Sequence, residues 1–196
     1  FSLDDPLTIF NSFPSIADGS MYSLEASDDS ETSLYERTGE TESIRELTRL
    51  MIVRSSNLAT NILFQRIGAN RINEFIAELG IQGVSFIRGM YVLPALKNGM
   101  NNRGTARGLT QTMRLSAEGK IVTKQASDEM IEMLLGQEFN ESIPHLLPTG
   151  TRVAHKTGWS DDFYHDTGIV FPANRKPYAI SIMTRGFPED NGDKAH

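Results

Sequence analysis

The stretch HKTGWSDDFYHDTGIVF, residues 155–171, contains two β-prone runs that flank a short polar turn. Such a pattern predicts two strands joined as a hairpin. The first run carries Lys156, Thr157 and Gly158 side by side, a cation and a hydroxyl donor at the end of a strand. We predict that this strand edge holds a carboxylate and an acyl oxygen. A structural role is the alternative, because edge lysines discourage aggregation and a strand glycine can mark a bulge.

Composition excludes several functions. The 196 residues are 39% apolar and 22% charged, with a net charge of −6, which disfavours a nucleic-acid partner. No apolar run reaches the roughly 18 residues that a membrane span needs. The chain has no cysteine, so disulfides, thiolate metal sites and a cysteine nucleophile are excluded, although the compartment is not fixed by this.

Apolar periodicity predicts helices in the middle of the chain. SIRE, residues 43–46, is a capping box in which Ser43 caps a helix and Glu46 reaches back to its first amide. Two further helical runs follow, at 55–68 and 70–80, and residues 105–118 and 127–136 predict two more, the last beginning at Ser127. Residues 81–104 form a long irregular loop, which in compact domains is often functional.

The ends of the chain differ from this helical middle. Residues 1–40 are rich in turn formers and acids, and we expect a solvated loop with at most one hairpin. Three consecutive strands follow the helices, within 148–158, 163–172 and 177–186. The fold class is therefore α+β, with a mainly helical domain at 1–136 and a sheet domain at 137–196.

A second polar motif lies at the break between two predicted helices. Ser55, Ser56 and Asn57 form SSN there, and by themselves they would be helix-capping residues. SSN followed by KTG, however, corresponds to two of the three motifs S-x-x-K, S-D-N and K-T-G of penicillin-recognising serine enzymes. Together with LMIVRSSNLATNILFQRIG and NNRGTARGL, these motifs make the chain resemble the class A β-lactamase-related serine hydrolases along nearly its whole length. It resembles their non-classical branch, and the implied fold is β-lactamase/transpeptidase-like.

The resemblance implies a role for each matched residue. Ser55 would relay a proton to the leaving nitrogen, and Lys156 would supply positive potential for the substrate carboxylate. The backbone N–H of Trp159 would be one of two oxyanion-hole donors. The expected catalytic residues are Ser55 and Lys156, and the expected substrate-binding residues are Asn57 for the acyl amide, Thr157 for the carboxylate, Gly158 and Trp159.

Three departures from the family pattern change the expected chemistry. No serine has a lysine three positions later, so we expect the nucleophile upstream of Phe1 and regard the chain as a fragment whose fold needs that segment. Ser56 stands where aspartate is usual, which is common in the non-classical branch. Residues 81–105 contain no Asp or Glu and offer only Tyr91 and asparagine amides, so deacylation without a carboxylate base should be slow.

These patterns lead to one functional prediction and two alternatives. We predict a serine hydrolase that acts on β-lactams through an acyl-enzyme, is periplasmic or secreted, and has a β-lactam or a peptidoglycan stem peptide as its partner. The alternatives are a D-Ala-D-Ala peptidase-like enzyme and a non-catalytic penicillin- or peptidoglycan-binding relative. No cofactor is expected. A metal site is not expected either, because His155 and His165, which could be cross-strand neighbours, lack a third ligand, and SDDSET lacks the features of a calcium loop.

Overall fold

The computed structural model describes residues 2–160 and 162–186. Within these ranges the chain forms two compact units. The first contains the residues up to Gly80 together with Val84–Arg103, and the second contains Ile81–Gly83 and the residues from Gly104 onward. In the described ranges, no helix has both the length and the apolar character that crossing a bilayer requires. The polar tail after residue 186 lies outside the described residues.

The first unit is built around the predicted helices. These are α1 (Ile44–Val53), α2 (Asn57–Ile67), α3 (Ala69–Glu78) and a short α4 (Leu93–Lys97) inside the loop that was expected to be irregular. Half of the predicted capping box forms, because the Ser43 hydroxyl accepts a hydrogen bond from the Glu46 backbone N–H at 3.1 Å. The Glu46 carboxylate does not reach back to the first amide but binds Arg49 on the next turn.

Residues 1–40 contain the expected hairpin, but the prediction that the rest of this segment is a solvated loop is wrong. This segment contributes β1 (Pro6–Thr8), which pairs with β4 (Thr41–Ser43), and a hairpin of β2 (Phe13–Pro14) and β3 (Met21–Tyr22). Strands of two or three residues are too short to show an alternating pattern. Buried apolar side chains of the N-terminal segment, most of them outside these strands, join those of α1 and α2 in one core, made of Ile9, Phe13, Leu24, Leu34, Ile44, Leu47, Leu50, Leu58, Ala59, Ile62 and Leu63.

The second unit confirms the predicted meander. It contains α5 (Ala106–Ala117), α6 (Lys124–Leu135) and a sheet of β5 (Arg152–Ser160), β6 (Phe163–Phe171) and β7 (Tyr178–Met183) in antiparallel order. Both helices pack on this sheet. For that reason α5 and α6 group with the strands, whereas the boundary expected from the sequence after residue 136 separated them.

One sheet face is marked by a row of polar side chains. Lys156 of β5 lies opposite Thr167 of β6, which lies opposite Ser181 of β7. The Thr110 hydroxyl of α5 donates to the Ser181 hydroxyl at 2.9 Å, so this face is the one that the helix covers. Because side chains alternate along a strand, the residues before and after Lys156 belong to the other face.

Two local expectations in the second unit are wrong. Helix α6 begins after Thr123, which caps it, and Ser127 is instead buried inside the first turns with its hydroxyl bound to both backbone groups of Ile121. His155 and His165 are not cross-strand neighbours, because His155 is opposite a glycine, Gly168, in the strand register.

The core position of the N-terminal segment can be tested with two isoleucines. The Ile9 side chain is fully buried, whereas Ile16 is 49% exposed. We expect Ile9→Ala to lower the free energy of unfolding by about 2–5 kcal/mol, since it leaves a cavity, and Ile16→Ala to have a much smaller effect. Urea unfolding measures both values. Equal effects of the two substitutions would contradict the packing described here.

Candidate active site

Ser55 has an unusual backbone conformation. It lies between α1 and α2 with a φ of 54°, in the left-handed region, where a non-glycine residue costs about 1–2 kcal/mol. Neighbouring bonds hold it there, since the Ser56 backbone N–H donates to the Leu50 carbonyl at 3.1 Å and the Ser30 hydroxyl donates to the Arg54 carbonyl at 2.6 Å. Strain that is retained by its surroundings is typical of functional positions.

Capping of α2 is performed by Ser56, not by Ser55 or Asn57. The buried Ser56 hydroxyl accepts a hydrogen bond from the Ala59 backbone N–H at 3.1 Å. Ser55 is thus not used as the helix cap, and Asn57 is the first helical residue. The Asn57 side-chain amide donates to the Asp28 carbonyl at 3.2 Å, which fixes the carboxamide beside the start of α2.

Asp29 fixes the SSN motif from a distant part of the sequence. Its Oδ1 atom accepts a hydrogen bond from the Asn57 backbone N–H at 3.0 Å, and its Oδ2 atom accepts one from the Leu58 backbone N–H at 2.9 Å. A carboxylate at a helix N-terminus is also stabilised by the helix dipole. The Tyr35 hydroxyl donates to the same carboxylate at 2.9 Å, and burial together with Asp29 raises the pKa of Tyr35 above its ordinary value.

The acid run containing Asp29 is therefore not the solvated loop that the sequence predicts. Local sequence gives no signal for its role, because the amides that Asp29 binds lie 28 and 29 positions further along the chain.

The carboxylate-free loop after the helices is held by two asparagines. The buried Asn61 side chain accepts from the Met90 backbone N–H at 2.6 Å and donates to the Met90 carbonyl at 3.2 Å. Asn102, near the end of the loop, binds back to its first half, where its oxygen accepts from the backbone N–H groups of Ile87 and Arg88 at 2.9 and 3.1 Å. These contacts give the loop a defined course without any acidic side chain. Asn61 lies within a helical run, and no sequence pattern distinguishes it there.

Tyr91 follows this asparagine contact and is a second strained residue of the first unit. Its φ is 56°, and its hydroxyl donates to the Asp28 carbonyl at 3.0 Å, the same carbonyl that binds Asn57. The SSN motif and the loop are thus tied to one point of the N-terminal segment.

In the second unit, β5 brings together the four residues predicted at its edge. The Lys156 ammonium donates to the Thr157 carbonyl at 2.7 Å. Burial lowers the pKa of Lys156 from 10.5 to about 8, and the Asp166 carboxylate opposes that shift. An ammonium of this kind is charged at neutral pH and is poorly hydrated, so it attracts a carboxylate ligand strongly.

Thr157 and Trp159 lie on the other face of β5 from Lys156. The Thr157 hydroxyl is buried and has no hydrogen-bond partner within the described ranges. Trp159 is 48% exposed, and its ring meets the ring of Phe139 edge-on at 5.2 Å and stacks on the Tyr164 ring at 6.4 Å. Gly158 lies between them in the sequence. A Cβ atom at this position would meet no atom within 4 Å, so the glycine leaves space for the backbone of another molecule.

The predicted site residues therefore fall into two groups. Ser55 and Asn57 belong to the first unit, whereas the four residues of the KTG strand belong to the second. In the ranges that the structure describes, His, Asp and Glu side chains do not form a cluster of three suited to a metal ion.

Comparison with known proteins defines the class of this fold. The chain superposes on the TLA-1 extended-spectrum β-lactamase with a TM-score of 0.75 and 26% identity, covering 82% of this chain and 61% of that one. It also superposes on PBP-A with a TM-score of 0.80 and 24% identity, covering 99% and 68%. The fold is thus β-lactamase/transpeptidase-like, as the sequence predicts.

Family membership follows from the sequence itself. The model of the β-lactamase enzyme family, Beta-lactamase2, matches residues 2–196, so the chain belongs to this family. It is 28% identical over 145 residues to the β-lactamase BRO-1 of Moraxella catarrhalis, covering 72% of this chain and 46% of BRO-1. It is 22% identical over 160 residues to PER-1 of Pseudomonas aeruginosa, covering 76% and 51%. The chain thus spans about half the length of these relatives.

The contribution of Asp29 to the SSN motif can be measured by comparison with its neighbour. We expect Asp29→Ala to lower the free energy of unfolding by about 1–2 kcal/mol, because two helix amides lose their acceptor. Asp28→Ala is the matched control, since Asp28 is exposed and binds Asn57 and Tyr91 only through its carbonyl. Urea unfolding gives both values, and an equally small loss for both would show that Asp29 does not support α2.

Proposed function

We propose that the protein containing this chain is a serine hydrolase that recognises β-lactams and reacts with them through an acyl-enzyme. Membership of the β-lactamase enzyme family supports this proposal. The observation that carries it for this chain is the poorly hydrated Lys156 ammonium beside Thr157 and Gly158 on β5, a charge suited to a substrate carboxylate. The nucleophile would be a serine outside this chain, in an S-x-x-K segment, because none of its serines has that spacing.

Five of the six predicted site residues then have a direct role in acyl transfer. Lys156 attracts the substrate carboxylate by its charge. The buried Thr157 hydroxyl donates a hydrogen bond to that carboxylate when the substrate binds. Asn57 binds the acyl amide, and Ser55 passes a proton to the nitrogen that leaves when the amide bond breaks. The Trp159 backbone N–H stabilises the oxyanion, a contact whose loss costs about 10²–10³ in rate in other acyl-transfer enzymes.

A peptidase-like enzyme with slow β-lactam turnover is the second candidate. The loop at 81–105 has no Asp or Glu, and Asn61 fixes the backbone at Met90, so no carboxylate of this loop can activate a deacylating water. A general base contributes about 10²–10⁴-fold in other enzymes. A leucine-to-glutamate variant of PBP-A, a protein of the same fold, has been solved as an acyl-enzyme complex with penicillin G. A peptidoglycan stem peptide would then be the natural substrate, and the protein would act in the periplasm or outside the cell.

A fluorescent penicillin distinguishes these possibilities in the intact protein. We expect covalent labelling that persists for minutes after free label is removed, because acylation has its donors and the 81–105 loop supplies no carboxylate base for deacylation. Gel fluorescence and intact-mass measurement follow both steps. Rapid loss of the label with many turnovers per second would favour an efficient β-lactamase, and complete absence of labelling would favour a non-catalytic binding protein and contradict the proposal.

The pH dependence of acylation tests the role of Lys156. Its charge is lost as pH rises through about 8, so we expect kcat/KM for a penicillin to fall over this range. In Lys156→Arg the charge persists, and the fall at this pH should disappear. Stopped-flow acylation at low substrate concentration measures this, and a profile that is the same in both proteins would contradict a carboxylate-binding Lys156.

Stability should change in the opposite direction over the same pH range. The pKa of Lys156 is about 8 when folded and 10.5 in the absence of burial, so folding releases a proton between these values. The unfolded chain binds more protons there, and the contribution of Lys156 to stability rises with pH from about 8 to 10.5. A fall in kcat/KM that accompanies rising stability therefore cannot be caused by unfolding.

A further inference from the structure

A buried histidine–aspartate pair lies directly beside the KTG motif. His155 precedes Lys156 on β5, and its side chain is 1% exposed while that of Asp166 is 0% exposed. The His155 Nδ1 atom is 3.1 Å from both carboxylate oxygens of Asp166. Its Nε2 atom is 3.2 Å from the Oδ1 atom of Asn140. Neither side chain has a role in the acyl-transfer steps described above.

The groups around the ring place an oxygen atom beside each of its two nitrogens. The Asn140 side-chain nitrogen donates to the carbonyls of Gln137 and Glu138 at 3.0 and 3.1 Å, so its oxygen faces His155 and can only accept. The Nε2 atom must therefore carry a hydrogen. The Asp166 carboxylate already accepts from the Ile143 backbone N–H at 3.0 Å, and it accepts from Nδ1 as well. Each ring nitrogen thus faces an acceptor oxygen, which is the arrangement that an imidazolium–carboxylate pair of zero net charge requires.

The position of this pair connects it to the KTG residues. Asp166 lies directly opposite Thr157 in the strand register, and His155 lies opposite Gly168. A Cβ atom at Gly168 would come within 2.7 Å of the His155 Cβ atom, so the glycine leaves the room that the histidine needs. The Asp166 charge acts on two titratable neighbours. It opposes the lowering of the pKa of Lys156 that burial causes, and it adds to the effect of burial in raising the pKa of Tyr164 on β6. Two groups of segment 137–147 bind the pair, the Ile143 backbone N–H and the Asn140 side chain, and both are neutral.

We propose that His155 is a positioning residue for the carboxylate-binding lysine. By neutralising Asp166, it leaves the Lys156 charge available to the substrate, and by binding β6 and Asn140 it fixes the strand that carries Lys156 and Thr157. Without the imidazolium, the buried carboxylate on the paired strand would be uncompensated, and its negative charge would reduce the positive potential that Lys156 offers to the substrate. The proposal rests on the function proposed above, because it concerns the affinity of the same site for its substrate.

The first test is spectroscopic and does not depend on activity. In the intact protein labelled with ¹⁵N-histidine, we expect both ring nitrogens of His155 to show the shifts of protonated nitrogens at neutral pH. The signals are assigned by their absence in His155→Gln. A spectrum with one unprotonated ring nitrogen would overturn the proposal, whether or not the protein reacts with penicillin.

The second test is kinetic and uses the exposed His145 as a matched control. We expect His155→Gln to raise KM for a penicillin by about tenfold or more through the weakened Lys156–carboxylate contact, with kcat changed much less. His145→Gln should behave as wild type. The double variant His155→Gln/Asp166→Asn removes the uncompensated carboxylate, and we expect it to recover most of the lost affinity.

The outcomes of the kinetic test separate the two proposals. If the double variant is no better than His155→Gln while both are folded by circular dichroism, charge compensation is not the role of His155. If His155→Gln lowers kcat and leaves KM unchanged, the positioning role is wrong. Failure of wild-type protein to react with any penicillin would contradict the proposed function, and the histidine spectrum would still decide the state of the pair.

Discussion

The antiparallel pairing of β5 with β6 is the constraint on which the rest of the second unit depends. The two strands are paired along all nine residues of each. Because side chains alternate, this register places Lys156 on the face that α5 covers and His155 on the other face, where it meets Asp166. A slip of one residue would exchange the two faces, and it would separate the charged pair that the register now keeps together.

Both units use polar side chains to fix the structure next to the predicted reactive groups. In the first unit, Asp29 binds the amides at the start of α2, and Asn61 binds both backbone groups of Met90. In the second, Asn140 and Asp166 enclose His155. Groups fixed in this way before a ligand arrives need little reorganisation when charge develops, which is the main source of electrostatic stabilisation in acyl transfer. The strained φ of Ser55 is one consequence of such fixed surroundings.

The sequence predicts the elements that have regular patterns. The apolar stripe of α1, the alternating strands β5 and β6, and the SSN and KTG motifs all depend on short-range spacing, and the helices and the meander are confirmed. The sequence does not predict interactions between distant residues. The contacts of Asp29 with α2, of Asn61 with Met90 and of His155 with Asn140 join side chains to partners 15 to 29 positions away, and no local pattern indicates them.

The central claim is that the Lys156 ammonium binds the carboxylate of a β-lactam during acyl transfer. A crystal structure of the intact protein acylated by a penicillin tests this claim most directly. We expect a carboxylate oxygen within hydrogen-bonding distance of Lys156 Nζ or the Thr157 hydroxyl, and the acyl oxygen beside the Trp159 backbone N–H. An acyl-enzyme whose carboxylate is bound by other residues, with Lys156 still on the Thr157 carbonyl, would contradict it.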